Sequence, residues 1–137
     1  MTSEELARSY LRKATDRLEI LDLLLRKEAY SDVIREAQEI VELALKGRLR
    51  AVGVEPPKWH NVGPILQEQR GRLPDSVRGE VDELARISAW LSDEREASFY
   101  GDVELVPNEA YDRNDAEHAI ADAQCTVNAA RQVVEGV

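Results

Sequence analysis

The chain has 137 residues, of which 43% are hydrophobic and 33% charged, and its 18 basic and 27 acidic residues give a formal net charge of −9. This length suits one hydrophobic core, so we predict a single domain over residues 1–137. The acidic balance disfavours nonspecific nucleic-acid binding, which requires a basic face, and no DNA partner is expected.

Cysteine content and hydropathy indicate the cellular compartment in which we expect the protein. Cys125 is the only cysteine, which excludes an internal disulfide and a cysteine-based zinc site. Its helical spacing among alanines predicts a small, buried side chain. No stretch approaches the about 18 apolar residues of a membrane-spanning helix, and residues 1–10 show no secretory signal pattern. We therefore expect a cytoplasmic protein without a membrane partner.

Two long amphipathic helices are predicted at the start of the chain. The first begins at an N-cap, Ser3, and ends near residues 27–30, because its apolar residues recur every three or four positions. The second begins after an N-cap at Ser31 and ends at Gly53. Their short connection predicts an antiparallel hairpin. The apolar face of the second helix comprises Val33, Ile34, Ala37, Ile40, Val41, Ala44, Leu45 and Leu49.

Three further helices follow the proline-containing turn at residues 54–61. A short helix covers residues 61–69, a fourth is capped by Asp75 and extends as far as Tyr100, and a fifth follows a cap at Asp112 or Asn114. Asn114 and Glu117 resemble a capping box. The pattern predicts an all-α, up-and-down bundle of about five helices. The fifth helix has an alanine-rich buried face formed by Ala116, Ile120, Ala123, Val127, Ala130 and Val134.

The most distinctive segment runs from Asp93 to His118 and contains a break of about a dozen non-helical residues. Polar and aromatic side chains cluster at both of its edges. A break of this kind in a small bundle is either a plain loop or the rim of a site. The candidate site residues at these edges are Arg95, Tyr100, Tyr111, Arg113 and His118.

Two residue pairs beside the break are candidates for catalysis. Arg95 and Tyr100 converge only if the helix ends between them, because residues five apart on a helix point about 140° away from each other. Arg113 and His118 have the same spacing and suit phosphodiester cleavage, in which arginine stabilises charge on phosphate and histidine transfers protons. Arg113 can swing towards His118 if Asn114 is the cap. For both pairs, a solvated or packing role is the simpler alternative.

Trp59 and His60 lie just before the third helix. They could form a stacking and hydrogen-bonding platform for a base, or they could cap the core. The two histidines are far apart in the sequence, and no phosphate-binding glycine loop is present. We therefore predict neither a metal site nor a cofactor.

The chain resembles prokaryotic HEPN domains over nearly its whole length. One shared feature is a helix pair ending in E-x-x-x-K-G-x-L, from Glu42 to Leu49. Another is the turn G-x-x-P-P-x-x-H-x-V-x-x-x-L, from Gly53 to Leu66. The third is an R-x4-Y edge at residues 95–100, followed by a tyrosine and a last helix that contains D-A-E.

The resemblance implies a homodimeric helical bundle that pairs with a minimal nucleotidyltransferase, often as a toxin–antitoxin module. Many members of the family are metal-independent ribonucleases with an R-x4-6-H motif beside the break before the last helix. Our alignment places Arg95 at the motif arginine and Tyr100 at the histidine. Arg113 and His118 are the alternative.

We therefore expect a helical protein that binds nucleotide or RNA and pairs with a small nucleotidyltransferase. Its cleft would be lined by Arg95 and Tyr100, with His60 and His118 as further candidates. One alternative is an active metal-independent ribonuclease that uses an Arg/His pair. The other is a purely structural interaction module.

Overall fold

Helices follow one another along almost the whole described chain. The computed structural model describes residues 2–73, 75–100 and 110–136, except for the side chains of residues 76, 77 and 95–100. The predicted all-α fold is confirmed. The helices are α1 (Ser3–Arg26), α2 (Tyr30–Ala51), α3 (Gly63–Glu68), α4 (Asp75–Arg78), α5 (Val81–Tyr100) and α6 (Arg113–Val134), with a 3₁₀ turn at Arg70–Arg72.

The fourth predicted helix differs from the sequence prediction in one respect. The predicted fourth helix is divided into α4 and α5 by a turn at Gly79 and Glu80, since glycine is a poor helix former. The predicted helix does continue to Tyr100. The non-helical break predicted after it falls mostly on residues 101–109, which lie outside the described part of the chain.

The centre of the bundle is α2, which packs against α1, α5 and α6. Every residue of its predicted apolar face is buried. The start of α1 meets the end of α2, where the Ser3 hydroxyl donates a 2.7 Å hydrogen bond to the Arg50 carbonyl. This contact confirms the predicted antiparallel hairpin. None of the described helices has the length and apolar character needed to cross a membrane.

Two predicted helix caps shift by one or two residues, whereas the cap of α6 is Asp112, one of the two residues predicted. Thr2, not Ser3, caps α1, because its hydroxyl accepts from the Glu5 amide while the Glu5 carboxylate accepts from the Thr2 amide. The N-cap of α2 is Ala29, and Ser31 lies buried inside the first turn. The capping box of α6 is formed by Asp112 and Asp115 rather than by Asn114 and Glu117. Gly53 ends α2 as predicted, with a φ of 80°.

A buried arginine joins the central helix to the turn before α5. Arg48 on α2 has no exposed side-chain surface, and its Nη1 lies 3.4 Å from the Glu80 carboxylate. A buried cation is tolerated only when a carboxylate or hydrogen-bond acceptors compensate it. The ion pair therefore fixes the position of the turn at the start of α5.

Close contact between α3 and α5 fixes the chain that follows the proline turn. A Cβ atom added to Gly63 would lie 3.0 Å from the Ala85 carbonyl oxygen and 3.1 Å from the Ala85 Cα. Both atoms belong to the α5 backbone and cannot move independently of that helix. The Val62 amide also donates a 2.9 Å hydrogen bond to the buried Ser88 hydroxyl. Glycine is therefore required at position 63 for α3 to approach α5 this closely.

Replacing Arg48 with alanine should lower the free energy of unfolding by about 3 kcal/mol, because the change removes both a buried ion pair and a large buried side chain. Urea denaturation measures this loss. The control is Arg113→Ala, which removes an exposed ion pair with Glu117 and should cost no more than about 0.5 kcal/mol. Equal losses in the two variants would contradict the structural role assigned to Arg48.

Gly63→Ala should destabilise the fold by about 1–3 kcal/mol, because the added methyl group must push α3 away from α5. Gly71→Ala is the matched control, since a Cβ at Gly71 would meet nothing within 4 Å. That substitution should be neutral or stabilising by up to about 1 kcal/mol, because it restricts the unfolded chain. Thermal unfolding of the two variants in parallel tests the difference.

Candidate functional site

Residues of α5 and α6 form a polar cluster at the surface where these two helices meet. On α5, Glu83, Arg86 and Trp90 are three and four residues apart, so they lie on one side of the helix. On α6, His118 and Asp122 are separated by one turn. We call these five residues the His118 cluster.

His118 is accessible and is held on two sides. Its side chain is 55% exposed, and its Nε2 lies 3.5 Å from Oδ2 of Asp122. The Trp90 ring lies against it, with the ring centroids 5.0 Å apart. The Nδ1 atom makes no hydrogen bond with the residues that the structure describes. His118 can therefore contact a ligand while its ring is positioned by the protein.

Asp122 is the buried member of the cluster, with 7% of its surface exposed. Its Oδ2 has no hydrogen-bond partner among the described residues. Burial raises the pKa of Asp122, and this effect is partly offset by the attraction of His118 and Arg86. Asp122 is thus placed beside the His118 ring, where a carboxylate can accept a hydrogen bond from the imidazole or attract a cation.

Arg86 connects the two sides of the cluster. Its guanidinium donates to both carboxylate oxygens of Glu83, at 2.6 and 3.0 Å. The same Nη2 atom lies 3.7 Å from Oδ1 of Asp122. Hydrogen bonding to Glu83 is the main cause that raises the pKa of Arg86. The cluster therefore contains a positive charge close to His118, although Glu83 partly neutralises it.

Cys125 lies on α6 close to this cluster, and the prediction that it is buried was wrong: the residue is exposed. The buried alanines of α6 lie on another face of the helix, and Cys125 shares the exposed face with Ala121, one turn before it. Partial desolvation, followed by the negative charges of Asp122, Glu80 and Glu83, raises the pKa of the thiol. The thiol is therefore protonated near neutral pH and is a poor nucleophile.

The structure does not bring Arg113 and His118 together within one chain. Because Asp112 is the cap, Arg113 is the first residue of α6 rather than a residue outside it. Its Nε donates a 2.8 Å hydrogen bond to Glu117. Both partners are more than half exposed, and exposed ion pairs of this kind contribute only about 0.2–1 kcal/mol. A ligand phosphate can therefore compete with Glu117 for Arg113.

The condition for Arg95 and Tyr100 to converge is not met. The backbone of α5 remains helical through Tyr100, so the helix does not end between Arg95 and Tyr100. Their side chains lie outside the described part of the structure. Their assignment to a binding cleft stays a prediction.

Tyr111 lies just before α6 and contacts α5. Its hydroxyl donates to the Glu94 carboxylate at 2.7 Å and lies 3.3 Å from the Glu94 carbonyl oxygen. Burial and these acceptors raise the pKa of Tyr111, so the phenol stays protonated. The described contacts of Tyr111 hold the start of α6 against α5.

Trp59 and His60 make different contacts from each other. Trp59 is 64% exposed, so it does not cap the core. His60 Nδ1 lies 2.5 Å from the Glu42 carboxylate on α2. Burial acts to raise the pKa of Glu42, but hydrogen bonds from His60 and Gln38 outweigh it and the pKa is lowered. His60 therefore ties the proline turn to the central helix.

The sequence analysis missed Arg86, Trp90 and Asp122. The i,i+4 spacing of His118 and Asp122 was a usable signal, because it places a carboxylate one turn from the imidazole. No sequence signal paired α5 with α6, so the roles of Arg86 and Trp90 were not accessible. Among the described residues, no three His, Cys, Asp or Glu side chains lie close enough together to hold a metal ion.

Comparison with known proteins gives one match. The family model described as "HEPN domain" matches residues 7–133. No curated protein and no solved structure matches the chain.

Asp122→Asn should stabilise the protein at neutral pH. The folded-state pKa of Asp122 is raised, so folding opposes ionisation, and this cost is absent below the unfolded-state pKa of about 3.9. The stability advantage of the variant should therefore shrink as the pH falls from 7 through the raised pKa. Urea denaturation at several pH values measures it.

The exposed variant Glu117→Gln serves as the control for this experiment and should change the free energy of unfolding by no more than about 0.5 kcal/mol. If Asp122→Asn were less stable than the unmodified protein at pH 7, the attraction of His118 and Arg86 would outweigh the cost of burial. The account of Asp122 given above would then be wrong.

Proposed function

Because the chain belongs to the HEPN domain family, we propose that it binds RNA at the His118 cluster and cleaves it without a metal ion. The observation that carries this proposal is the exposed His118 ring held beside the buried Asp122 carboxylate, at 3.5 Å. Metal-independent ribonuclease activity is what the family resemblance implies for many of its members.

Cleavage of this kind requires proton transfer at two oxygens. A base removes the proton from the ribose 2′-hydroxyl, whose oxygen attacks the adjacent phosphorus. The bond to the 5′-oxygen breaks, and that oxygen takes up a proton from an acid. The products are a 2′,3′-cyclic phosphate and a 5′-hydroxyl. His118 is suited to either step, since an imidazole can accept or donate a proton and the Asp122 carboxylate lies beside it.

Arginine would stabilise the negative charge that develops on the phosphate oxygens. Arg113 and His118 satisfy the R-x4-H spacing, and Tyr100 has no histidine-like titration, since an unperturbed tyrosine has a pKa of about 10. These points favour Arg113 and His118 over the pair aligned first, Arg95 and Tyr100. Arg86 is a second cation close to the same imidazole.

A second copy of the chain would complete this site. One histidine cannot act as base and acid at once, and within one chain Arg113 bonds to Glu117 rather than pointing at His118. We therefore place His118 at a homodimer interface, where the same residue of a second copy supplies the other proton-transfer group. The exposed side of α6 would form this interface through residues such as Ala121 and Cys125.

The resemblance also supports a cytoplasmic toxin–antitoxin-like module in which a small nucleotidyltransferase is the partner. In that arrangement the partner would control access to the His118 cluster.

Binding of RNA or nucleotide without cleavage is the second candidate function. It is favoured by the fact that Glu83 occupies Arg86 and Glu117 occupies Arg113. In this case the arginines would exchange a carboxylate for a ligand phosphate, and His118 would serve as a hydrogen-bond donor.

His118→Ala should reduce cleavage of structured RNA at least about 100-fold, because general acid–base catalysis contributes that much or more. The assay uses a preparation shown by light scattering to be dimeric and partner-free, with a chelator present. Glu19→Gln, an exposed substitution on α1, is the control and should cleave normally. Both variants must show the unfolding temperature expected of a folded bundle.

Two outcomes would count against catalysis at His118. Cleavage by His118→Ala at the normal rate would show that His118 is not a catalytic residue. If the unmodified dimer does not cleave RNA and Arg113→Ala weakens RNA binding, the protein binds RNA at this site without cleaving it.

A further inference from the structure

A groove between α1 and the end of α6 collects three arginines from two helices. Arg8 and Arg12 lie one turn apart on α1, and Arg131 lies opposite them on α6. The groove has a volume of about 260 Å³, and its other lining residues are Leu11, Thr15, Asp16 and Glu135. The buried side chain of Leu11 forms part of its floor.

Arg8 and Arg12, two of the four arginines on α1, are notable in so acidic a chain. The protein has a net charge of −9, and most of its described arginines pair with a carboxylate. Arg8 and Arg12 form no ion pair with any residue in the described ranges. Both are exposed, so their guanidinium groups keep their donors available. Arg131 is only loosely engaged, 3.8 Å from Glu135.

The groove is separate from the His118 cluster. Arg131 and His118 are thirteen residues apart on α6, which is about 20 Å along the helix axis. Their directions around the helix also differ by about 140°. The groove faces α1, whereas His118 faces α5. One ligand phosphate cannot contact both places.

We propose that this groove is an anion site that binds the phosphate groups of a nucleotide or of an RNA strand. Guanidinium groups donate two parallel hydrogen bonds to phosphate oxygens and remain charged at all physiological pH values. Three of them, arriving from two helices, surround an anion on more than one side. The volume suits phosphate groups rather than a whole nucleotide, since pockets for drug-sized ligands are about 300–1,000 Å³. The base and sugar would remain outside.

The acidic lining residues limit where in the groove an anion can bind. Asp16 and Glu135 repel an anion that enters beside them, and they leave the region around Arg8 and Arg12 as the favoured position. The Thr15 hydroxyl donates to the Leu11 carbonyl at 2.8 Å, so it is not free to donate to a ligand as well. Recognition therefore rests on the arginines, and binding should weaken as salt is raised.

Calorimetric titration of the His118→Ala protein with inorganic tripolyphosphate, ATP and adenosine tests the groove. This background separates the groove from the proposed ribonuclease, because loss of cleavage has no effect on the measurement. Tripolyphosphate and ATP should bind, and adenosine should not. Arg12→Gln should weaken the binding of both about tenfold, which is the loss expected for one charge-assisted phosphate contact.

Arg26→Gln is the matched control, since Arg26 is an exposed arginine at the far end of α1. It should leave binding unchanged. Failure of the His118→Ala protein to bind tripolyphosphate at low salt would overturn the proposal. Equal weakening by Arg12→Gln and Arg26→Gln would also overturn it, because the attraction would then be diffuse rather than located in the groove.

A single-stranded RNA oligonucleotide titrated into the same proteins identifies the source of the phosphate. Weaker RNA binding by Arg12→Gln than by Arg26→Gln would assign the groove to an RNA backbone. An effect on ATP with none on RNA would assign it to a free nucleotide. Both results support the site, and they differ only in what supplies the anion.

Discussion

Burial of α2 against α1, α5 and α6 is the constraint on which the rest of the structure depends. A cation on the buried part of such a helix needs a carboxylate or hydrogen-bond acceptors, because water is excluded there. Arg48 meets this requirement through the Glu80 carboxylate at 3.4 Å. The same contact places the turn before α5, so one buried charge sets the position of the helix that carries Arg86.

The candidate site follows from this arrangement. α5 and α6 each pack more extensively on α2 than on each other, which leaves a seam between them at the surface. Small residues on the inner face of α6 bring its backbone close to α2, while the larger polar residues occupy the seam. Asp122 lies where the buried inner face of α6 meets the exposed seam. Its burial and its proximity to His118 are consequences of the same packing.

Electrostatics then distinguishes the two surfaces for which we propose ligands. Arg86 in the seam and Arg113 at the start of α6 are each engaged by a carboxylate, so a phosphate must displace an existing partner. In the α1–α6 groove, Arg8 and Arg12 have no such competitor among the described residues. A chain of this net charge binds anions only where its local charge is positive, which makes unpaired arginines more informative than the overall balance.

The sequence by itself determined the helices, the antiparallel hairpin and the buried face of α2, because apolar periodicity reports which side of a helix is removed from water. It placed the caps only to within a residue or two, because backbone geometry decides where a helix begins, and the N-cap of α2 is an alanine that no capping pattern indicates. It also carried the family resemblance. The tertiary structure alone decided that Arg86 and Trp90 of α5 accompany His118 and Asp122 of α6, and that Arg8 and Arg12 meet Arg131 across a groove. These contacts depend on how two helices pack, and local spacing along one helix contains no information about the residues of another.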